Sequence, residues 1–539
     1  MAARSLSCAL PFRRRRLSWP GASWLIAGAI ALIPVVQAGP AKAGLYRPGQ
    51  IQLELEPEAR IADINAEYGT ASIDSLPPLH LLSCEVGTEL MTVMQMSGDP
   101  RIVFVEQSYN NNTPEAVRQM VVAAVGGTIE DYLDQNMVLR LHLAEIQEHT
   151  NGAGVTVAVL DTGVLPSHPA LEGCLRADGY DFIDMDDTPV DTANGVDDDH
   201  DDVVDEGAGH GTMVAGLVHL VAPESSILPI RILDDEGNGI SFDVARGIRY
   251  AREHGAHVIN MSLGLQVGCH IIDYEIRTAY EAGITMVAPS GNGGMESALY
   301  PAIDPRVLMV SGLDSMDVKA EFSNYHELVD VSAPGKGILA PYYDGEYAIG
   351  AGTSFSAPII SGQGALIRSY NPNLARDEID TAIRAGVVEV DGINGNWPYQ
   401  GKLGTGRMDG LVTLSYLGSS SAAPDRGLFA GGSSPRSSLI ISPNPVRSGQ
   451  LVRFAVRHRP LNSGFTGGGA SPGGALRIVA ASGRIVAEVP LTPKGSTGAP
   501  AGPLQVTWDG RDGSGRLLPA GSYLAAADGG GARRFVIVR

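Results

Sequence analysis

Short apolar runs alternate with helical patterns between residues 152 and 415, and this alternation constrains the fold more than any other feature. The runs contain few polar residues, which is typical of strands buried on both faces. Such strands alternating with helices predict an α/β domain with a mostly parallel sheet covered by helices on both faces. The predicted strands are Val155–Leu160, Ile227–Ile232, Val258–Leu263, Thr285–Ala288 and Val307–Val310, and the predicted helices cover 241–254, 272–282 and 354–369.

Four polar residues stand where such a sheet would place reactive groups. Asp161 ends a predicted strand, at the edge where active sites of open parallel sheets collect. His210 lies between two glycines, which permit an exposed imidazole, and Ser354 opens a predicted helix whose first N–H groups favour negative charge. Asn292, in a loop after another strand, carries an amide that can donate to an oxyanion. Taken singly, each residue also has an ordinary interpretation as a turn former, structural histidine or helix cap.

The segments around these residues share their order with a known family. Asp161-Thr162-Gly163, Gly209-His210-Gly211-Thr212 and Gly352-Thr353-Ser354 resemble the three signature motifs of the subtilisin-like serine proteases. Seven ordered matches are far more specific than any one of them. The four weaker matches are Leu233–Gly239, Ser262-Leu263-Gly264, Ser290-Gly291-Asn292 and Gly404–Asp409.

The resemblance implies a serine endopeptidase that hydrolyses polypeptide substrates through an acyl-enzyme. It assigns Ser354 as nucleophile, His210 as general base and then acid, and Asp161 as the carboxylate that orients the imidazole. Asn292 and the backbone N–H of Ser354 would form the oxyanion hole. The implied substrate-binding residues are Gly237, Gly239, Ser262, Leu263, Gly264, Ser290 and Gly291.

Two positions depart from the family pattern, and two other functions remain as alternatives. Phe355 stands where the family often has Met, and Met213 where it often has His. Neither departure removes a required group, which argues against a catalytically inactive binding or adhesion protein. An esterase with the same triad is the second alternative. The net charge of −21 argues against a nucleic-acid partner, which needs clustered cations.

The N-terminal region predicts export and maturation. Residues 1–43 read as a signal peptide, because Arg13–Arg16 precede an apolar run that ends in small residues. A retained membrane anchor is the alternative. From the signal peptide we expect a secreted or cell-surface protein with no stable membrane span after signal removal. Residues 44–112 resemble the family's inhibitory pro-segments in size and α+β character, although a permanent domain is the alternative. Residues 113–151 form a junction, and we expect maturation between Tyr109 and Asn136, with 110–113 the most exposed candidate.

An acidic insert lies inside the predicted catalytic domain, 152–417. Residues 178–206 carry thirteen Asp or Glu, whose oxygens at alternate positions resemble calcium loops. A solvated acidic loop is the alternative. The predicted ligands of a structural Ca²⁺ are Asp197, Asp199, Asp201, Asp205 and Glu206.

The C-terminal region changes in composition. Residues 418–438 have the Ser, Ala and Gly content of a flexible linker, and 439–539 carry short strand-like runs that predict a β-sandwich. The segments Ser442–Pro445 and Trp508–Asp512 resemble those of immunoglobulin-like modules of secreted bacterial proteins. Cys174 and Cys269 are either bridged in an exported protein or two buried thiols.

Overall fold

The computed structural model describes residues 45–114, 124–198, 200 and 202–419, and beyond these the segments 438–442, 446–447, 452–457, 474–480, 485–491, 504–512, 515–518, 521–527 and 532–538. The chain divides into two compact units, Met1–Pro424 and Asp425–Arg539. The signal peptide predicted for 1–43 lies outside the described residues, as does nearly all of the predicted linker 418–438.

The first unit begins with a small α+β layer. Its elements are β1 (Tyr46–Leu55), α1 (Ile61–Tyr68), β2 (Ala71–Leu76), β3 (Leu79–Ser83), α2 (Glu89–Met96) and β4 (Ile102–Asn112). The strands are antiparallel in the order β2-β3-β1-β4, and Ile51 and Leu53 pack against Ile64 and Met96 of the helices. The expectation that residues 110–113 are an exposed break is wrong, because β4 runs to Asn112, and Asn111 and Thr113 are buried.

The α/β domain follows a junction of short elements. The junction contains β5 (Ala124–Val125), α3 (Ile129–Leu133), α4 (Asn136–Arg140) and α5 (Leu143–Gln147). The domain contains β6 (Thr156–Asp161), β7 (Tyr180–Asp181), α6 (His210–Val221), β8 (Ser226–Arg231), β9 (Asn238–Ile240), α7 (Ser241–Glu253), β10 (Val258–Met261), α8 (His270–Glu281), β11 (Thr285–Pro289), β12 (Leu308–Leu313), β13 (Val331–Pro334), β14 (Lys336–Pro341), β15 (Tyr347–Ala351), α9 (Thr353–Tyr370), α10 (Arg376–Ala385), β16 (Val387–Val388), β17 (Arg407–Met408) and α11 (Gly410–Ser419), with single 3₁₀ turns at Pro169–Leu171 and Trp397–Tyr399.

A nine-stranded sheet organises this domain, in the order β16-β17-β13-β12-β11-β10-β6-β8-β7. Every pairing in it is parallel except that of β16 with β17. Along β6, Val157 and Val159 enter one hydrophobic core, while Ala158 and Leu160 enter the other. Because successive side chains of a strand point to opposite faces, a strand with both faces buried has to be apolar throughout. The predicted mostly parallel sheet is confirmed.

The second unit is built from strands. They are β18 (Ser438–Ser442), β19 (Val446–Arg447), β20 (Val452–Arg457), β21 (Gly474–Ala480), β22 (Ile485–Leu491), β23 (Leu504–Trp508), β24 (Gly521–Ala527) and β25 (Ala532–Val538). They form one sheet in the order β18-β20-β23 and another in the order β19-β25-β24-β21-β22. The immunoglobulin-like sandwich remains a prediction.

The three cysteines within the described residues are free thiols. Cys174 and Cys269 are buried in the two different cores of the α/β domain, so the bridge between them does not form. Burial raises the pKa of the Cys174 thiol to about 12, which keeps it protonated and unreactive.

Candidate active site

The carboxyl end of β6 and the first residue of α6 meet at a hydrogen bond. Nδ1 of His210 lies 2.6 Å from Oδ1 of Asp161, and both side chains are almost fully buried. Oδ1 also accepts the N–H of Thr162 at 2.9 Å. Gly209 precedes the helix at φ +88°, and a Cβ there would stand 2.2 Å from the ring of Tyr342. The glycine therefore permits both the turn into α6 and the close approach of that ring.

Ser354 is the second residue of α9, and its carbonyl group is held from outside the helix. Pro358 lies inside α9 and has no N–H to donate to the carbonyl oxygen four residues earlier, which belongs to Ser354. The Oγ of Ser262 donates to that oxygen instead, at 3.0 Å. Asn260 in turn donates to the Ser262 hydroxyl at 2.9 Å. The buried loop after β10 thus fixes the start of the helix that carries Ser354.

Asn292 is anchored to the same helix. Its Oδ1 accepts both the backbone N–H of Thr353 at 2.9 Å and the Thr353 hydroxyl at 2.8 Å. The oxygen end of the amide therefore faces Thr353, and the Nδ2 end faces away from it. Asn292 also lines a cavity of about 380 Å³, together with Pro114, Leu299 and Asn324.

An extended strand lies along the segments predicted to bind substrate. The end of β4 pairs antiparallel with β9, where Asn111 opposes Gly239. Asn112 exchanges hydrogen bonds with Gly264, at 3.0 and 3.5 Å, on the other side of the strand. The N–H of Thr113 donates to the carbonyl oxygen of Gly237 at 3.0 Å. The chain from Asn111 to Thr113 is thus a strand held between two edges.

Three other predicted binding residues, Leu263, Ser290 and Gly291, make contacts within the fold. The side chain of Leu263 lies in a hydrophobic core. The Ser290 hydroxyl donates to the carbonyl oxygen of Asn324 at 3.1 Å, and the N–H of Gly291 donates to Thr353 Oγ1 at 3.2 Å. The contact from Gly291 holds the loop that carries Asn292 to Thr353, the residue before Ser354.

In the described part of the acidic insert, two of the predicted calcium ligands accept backbone N–H groups. Oδ1 and Oδ2 of Asp205 accept the N–H groups of Asn194 and Gly195, and Oδ2 of Asp197 accepts that of Asp202. Within the described ranges no three acidic, His or Cys side chains converge as cation ligands. The predicted ligands Asp199 and Asp201 lie outside those ranges.

Asp191 is a residue of the site that the sequence motifs do not predict. This aspartate is 1% exposed and accepts hydrogen bonds from the segments that carry Asp161 and His210. In the sequence it is one of thirteen acidic residues in a short stretch, and nothing in that pattern distinguishes it.

Comparison with known proteins identifies the family of the chain. Residues 152–396 match the subtilase family, peptidase S8. Thermitase from Thermoactinomyces vulgaris is 35% identical over 276 residues, which cover 49% of this chain and 90% of thermitase. The chain belongs to the subtilase family. It is a subtilisin-like serine endopeptidase, and its substrates are polypeptides.

Other subtilases match the chain over different lengths. Subtilisin BL from Lederbergia lenta is 32% identical over 237 residues, which cover 42% of this chain and 81% of that protein. The crystal structure of fervidolysin from Fervidobacterium pennivorans, a keratinolytic enzyme related to subtilisin, aligns with a TM-score of 0.57 at 21% identity. It covers 91% of this chain and 72% of fervidolysin, and at this identity the likeness shows the fold alone. No helix within the described parts of this subtilase is both long and apolar enough to cross a membrane.

Proposed function

We propose that this subtilase is the precursor of an exported endopeptidase, with Ser354, His210 and Asp161 as its triad and residues 44–112 as its inhibitory pro-segment. The observation that carries the proposal is the strand Asn111–Thr113, which occupies both of the edges predicted to pair with substrate. A polypeptide substrate binding in the same way would pair its backbone with Gly237, Gly239 and Gly264.

The proposed chemistry gives each of these groups a role. The Ser354 hydroxyl attacks the scissile carbonyl carbon while His210 takes its proton, and Asp161 stabilises the resulting imidazolium. The oxyanion accepts from the Nδ2 of Asn292 and the N–H of Ser354. His210 then gives its proton to the leaving amine, which leaves an acyl-enzyme on Ser354. Water activated by His210 hydrolyses that ester and releases the second product.

The strand register supports a maturation site at the bond between Pro114 and Glu115. In an antiparallel pair, hydrogen-bonded residues recur every second position, so the Asn112–Gly264 pair puts Pro114 opposite Ser262. The Ser262 hydroxyl donates to the carbonyl oxygen of Ser354, and Pro114 lines the same cavity as Asn292. Cleavage there falls within the interval that the sequence predicts.

Contacts between the proposed pro-segment and the catalytic domain support inhibition. Oε1 of Glu106 accepts the N–H groups of His270 at 3.0 Å and Ile271 at 3.4 Å, at the start of α8. Gln52 Nε2 donates to Glu106 at 2.8 Å, and Gln52 Oε1 accepts the Ser241 hydroxyl at 2.8 Å, at the start of α7. A carboxylate at a helix N-terminus is stabilised by the helix dipole.

The other parts of the proposal rest on the sequence. Export depends on the signal peptide predicted for 1–43, and attachment or sorting would be the role of an immunoglobulin-like module at 439–539. A structural calcium held by Asp197, Asp199, Asp201, Asp205 and Glu206 stays a prediction, and no catalytic step requires it.

The test compares the full-length precursor with Ser354→Ala by intact mass and by casein hydrolysis. Ser356→Ala is the matched control, because Ser356 is equally buried in the same helix and its hydroxyl donates only to backbone carbonyls. We expect the wild type and the control to lose the N-terminal segment and to hydrolyse casein. A Ser354→Ala protein that still processes itself would disprove the proposed nucleophile, and an inert wild type would favour the inactive-relative alternative.

A further inference from the structure

Asp191 joins the two segments that carry the proposed catalytic acid and base. Its Oδ1 accepts the N–H of Gly209 at 2.8 Å and the Thr162 hydroxyl at 3.2 Å. Its Oδ2 accepts the N–H of Thr212 at 3.0 Å and the Thr212 hydroxyl at 2.6 Å. The four donors come from the loop after β6 and from both sides of His210.

The same donors extend the connection. Thr162 Oγ1 accepts the N–H of Gly211 at 2.9 Å, and Thr212 Oγ1 accepts the N–H of Leu165 at 3.0 Å. A Cβ at Gly211 would stand 2.0 Å from the carbonyl oxygen of Gly163, so the two backbones are in direct contact. The Thr162 hydroxyl, in the loop that follows Asp161, therefore holds the N–H of Gly211, and the Asp191 carboxylate holds the N–H groups of Gly209 and Thr212.

We propose that Asp191 is a positioning residue, whose carboxylate holds the imidazole of His210 in register with Asp161 and Ser354. The proposal rests on the triad proposed above. It requires a carboxylate, because two donors converge on each oxygen and an amide would turn its own N–H groups toward one of those pairs. Asp191 touches neither the substrate nor the reacting atoms in this arrangement.

The insert makes this role unexpected. Residues 192–208 separate Asp191 from the turn that it holds, so the carboxylate lies within the acidic insert and not in the motif around His210. Since an insert of this length closes at a modest entropic cost, Asp191 can serve the site from a distant position in the sequence.

The charge state of Asp191 makes the proposal testable through the pH dependence of activity. Burial raises the pKa of its carboxyl to about 6, and the nearby charge of Asp161 acts in the same direction. Asp161 and His210 belong to the segments that it joins, and the Tyr342 ring packs against Gly209, so these are the titratable groups around it. Protonation would place an O–H group on an oxygen atom that already accepts two hydrogen bonds, so at least one of these bonds would be lost. Activity should therefore depend on a second deprotonation besides that of His210.

The decisive comparison is between processed wild type and Asp191→Asn, with kcat and KM measured on a peptide substrate from pH 5 to 8. Misplacement of the imidazole should lower kcat on the order of 10- to 100-fold, with KM within about two-fold. On the acid limb, the wild-type slope of log(kcat/KM) against pH should exceed one, and the variant slope should fall to one.

Asp380→Asn is the matched control. Asp380 is 5% exposed, burial also raises its pKa to about 6, and its partners, Thr285 and Arg376, lie outside the site. Thr212→Val, which removes one hydroxyl donor, should give a smaller loss in kcat of about three- to ten-fold even if Asp191→Asn does not mature. Equal kcat and equal slopes in wild type and both Asp191→Asn and Thr212→Val would overturn the proposal. A wrong triad shows separately, as processing by Ser354→Ala.

Discussion

Replacement of Asn292 by alanine should slow peptide hydrolysis without weakening substrate binding. Two donors from Thr353 fix the Oδ1 end of the amide, so its Nδ2 end is oriented before substrate arrives. A preorganised donor of this kind contributes about 3 kcal/mol to the transition state, which corresponds to a loss of 10²- to 10³-fold in kcat. KM should stay within about two-fold, because the donor acts on charge that develops during the reaction.

Two further variants distinguish the role of the Asn292 amide from the role of the Thr353 groups that hold it. Asn292→Asp keeps an acceptor for Thr353 but places negative charge at the oxyanion, so it should lose more activity than Asn292→Ala. Thr353→Val keeps the backbone N–H that donates to Asn292 and removes only the hydroxyl, which should cost about 1 kcal/mol, or roughly five- to ten-fold in kcat.

Steady-state kinetics on a chromogenic peptide, with active-site titration of each processed variant, provide the assay. The reasoning is refuted if Asn292→Ala retains wild-type kcat, or if the whole loss appears in KM. The same conclusion would follow if Asn292→Asp were more active than Asn292→Ala.

Three other predictions follow from the contacts. Glu106→Gln keeps an acceptor at the start of α8 but removes the charge, so the pro-segment should bind the catalytic domain about 1 kcal/mol more weakly. The lag between processing and full casein hydrolysis should then shorten, and an unchanged lag would contradict this. Gly211→Ala should block maturation, since its Cβ would stand 2.0 Å from a carbonyl oxygen. Gly268→Ala, whose Cβ meets nothing within 4 Å, should mature normally, and gel electrophoresis of the two precursors distinguishes these outcomes. Burial raises the pKa of Asp243 and Asp380 to about 6, so the folded state is stabilised by their protonation, fully below pH 4 and no longer once the pH has risen through 6. Urea unfolding of the Ser354→Ala precursor should therefore give a larger free energy of unfolding at pH 5 than at pH 7, and the reverse order would refute this.

The central sheet was predictable because its strands leave little choice. β6, β8, β10, β11 and β12 are buried on both faces, and each begins and ends within a few residues of the predicted limits. The last two strands at one end of the sheet, β16 and β17, are two residues long, and no pattern of two residues separates a strand from a turn.

The nature of the missed features differs from case to case. Asn110–Asn112 look like an exposed break because local polarity is the available signal, yet their backbone pairs with β9 and Gly264, more than a hundred residues away. The four donors of Asp191 are equally non-local, so its burial is invisible among its acidic neighbours. The proposed triad, in contrast, rests on short motifs whose order is itself informative.

The proposed maturation cut would not by itself release the N-terminal layer. Cleavage after Pro114 breaks none of the bonds that Asn111, Asn112 and Thr113 make with the two edges. The caps from Glu106 and Gln52 on α8 and α7 lie before the cut and also remain. Each neutral hydrogen bond contributes about 1 kcal/mol, and all are formed within one folded layer, so they reinforce one another. Processing and activation are therefore separate events in this arrangement, and the second requires all these contacts to break together.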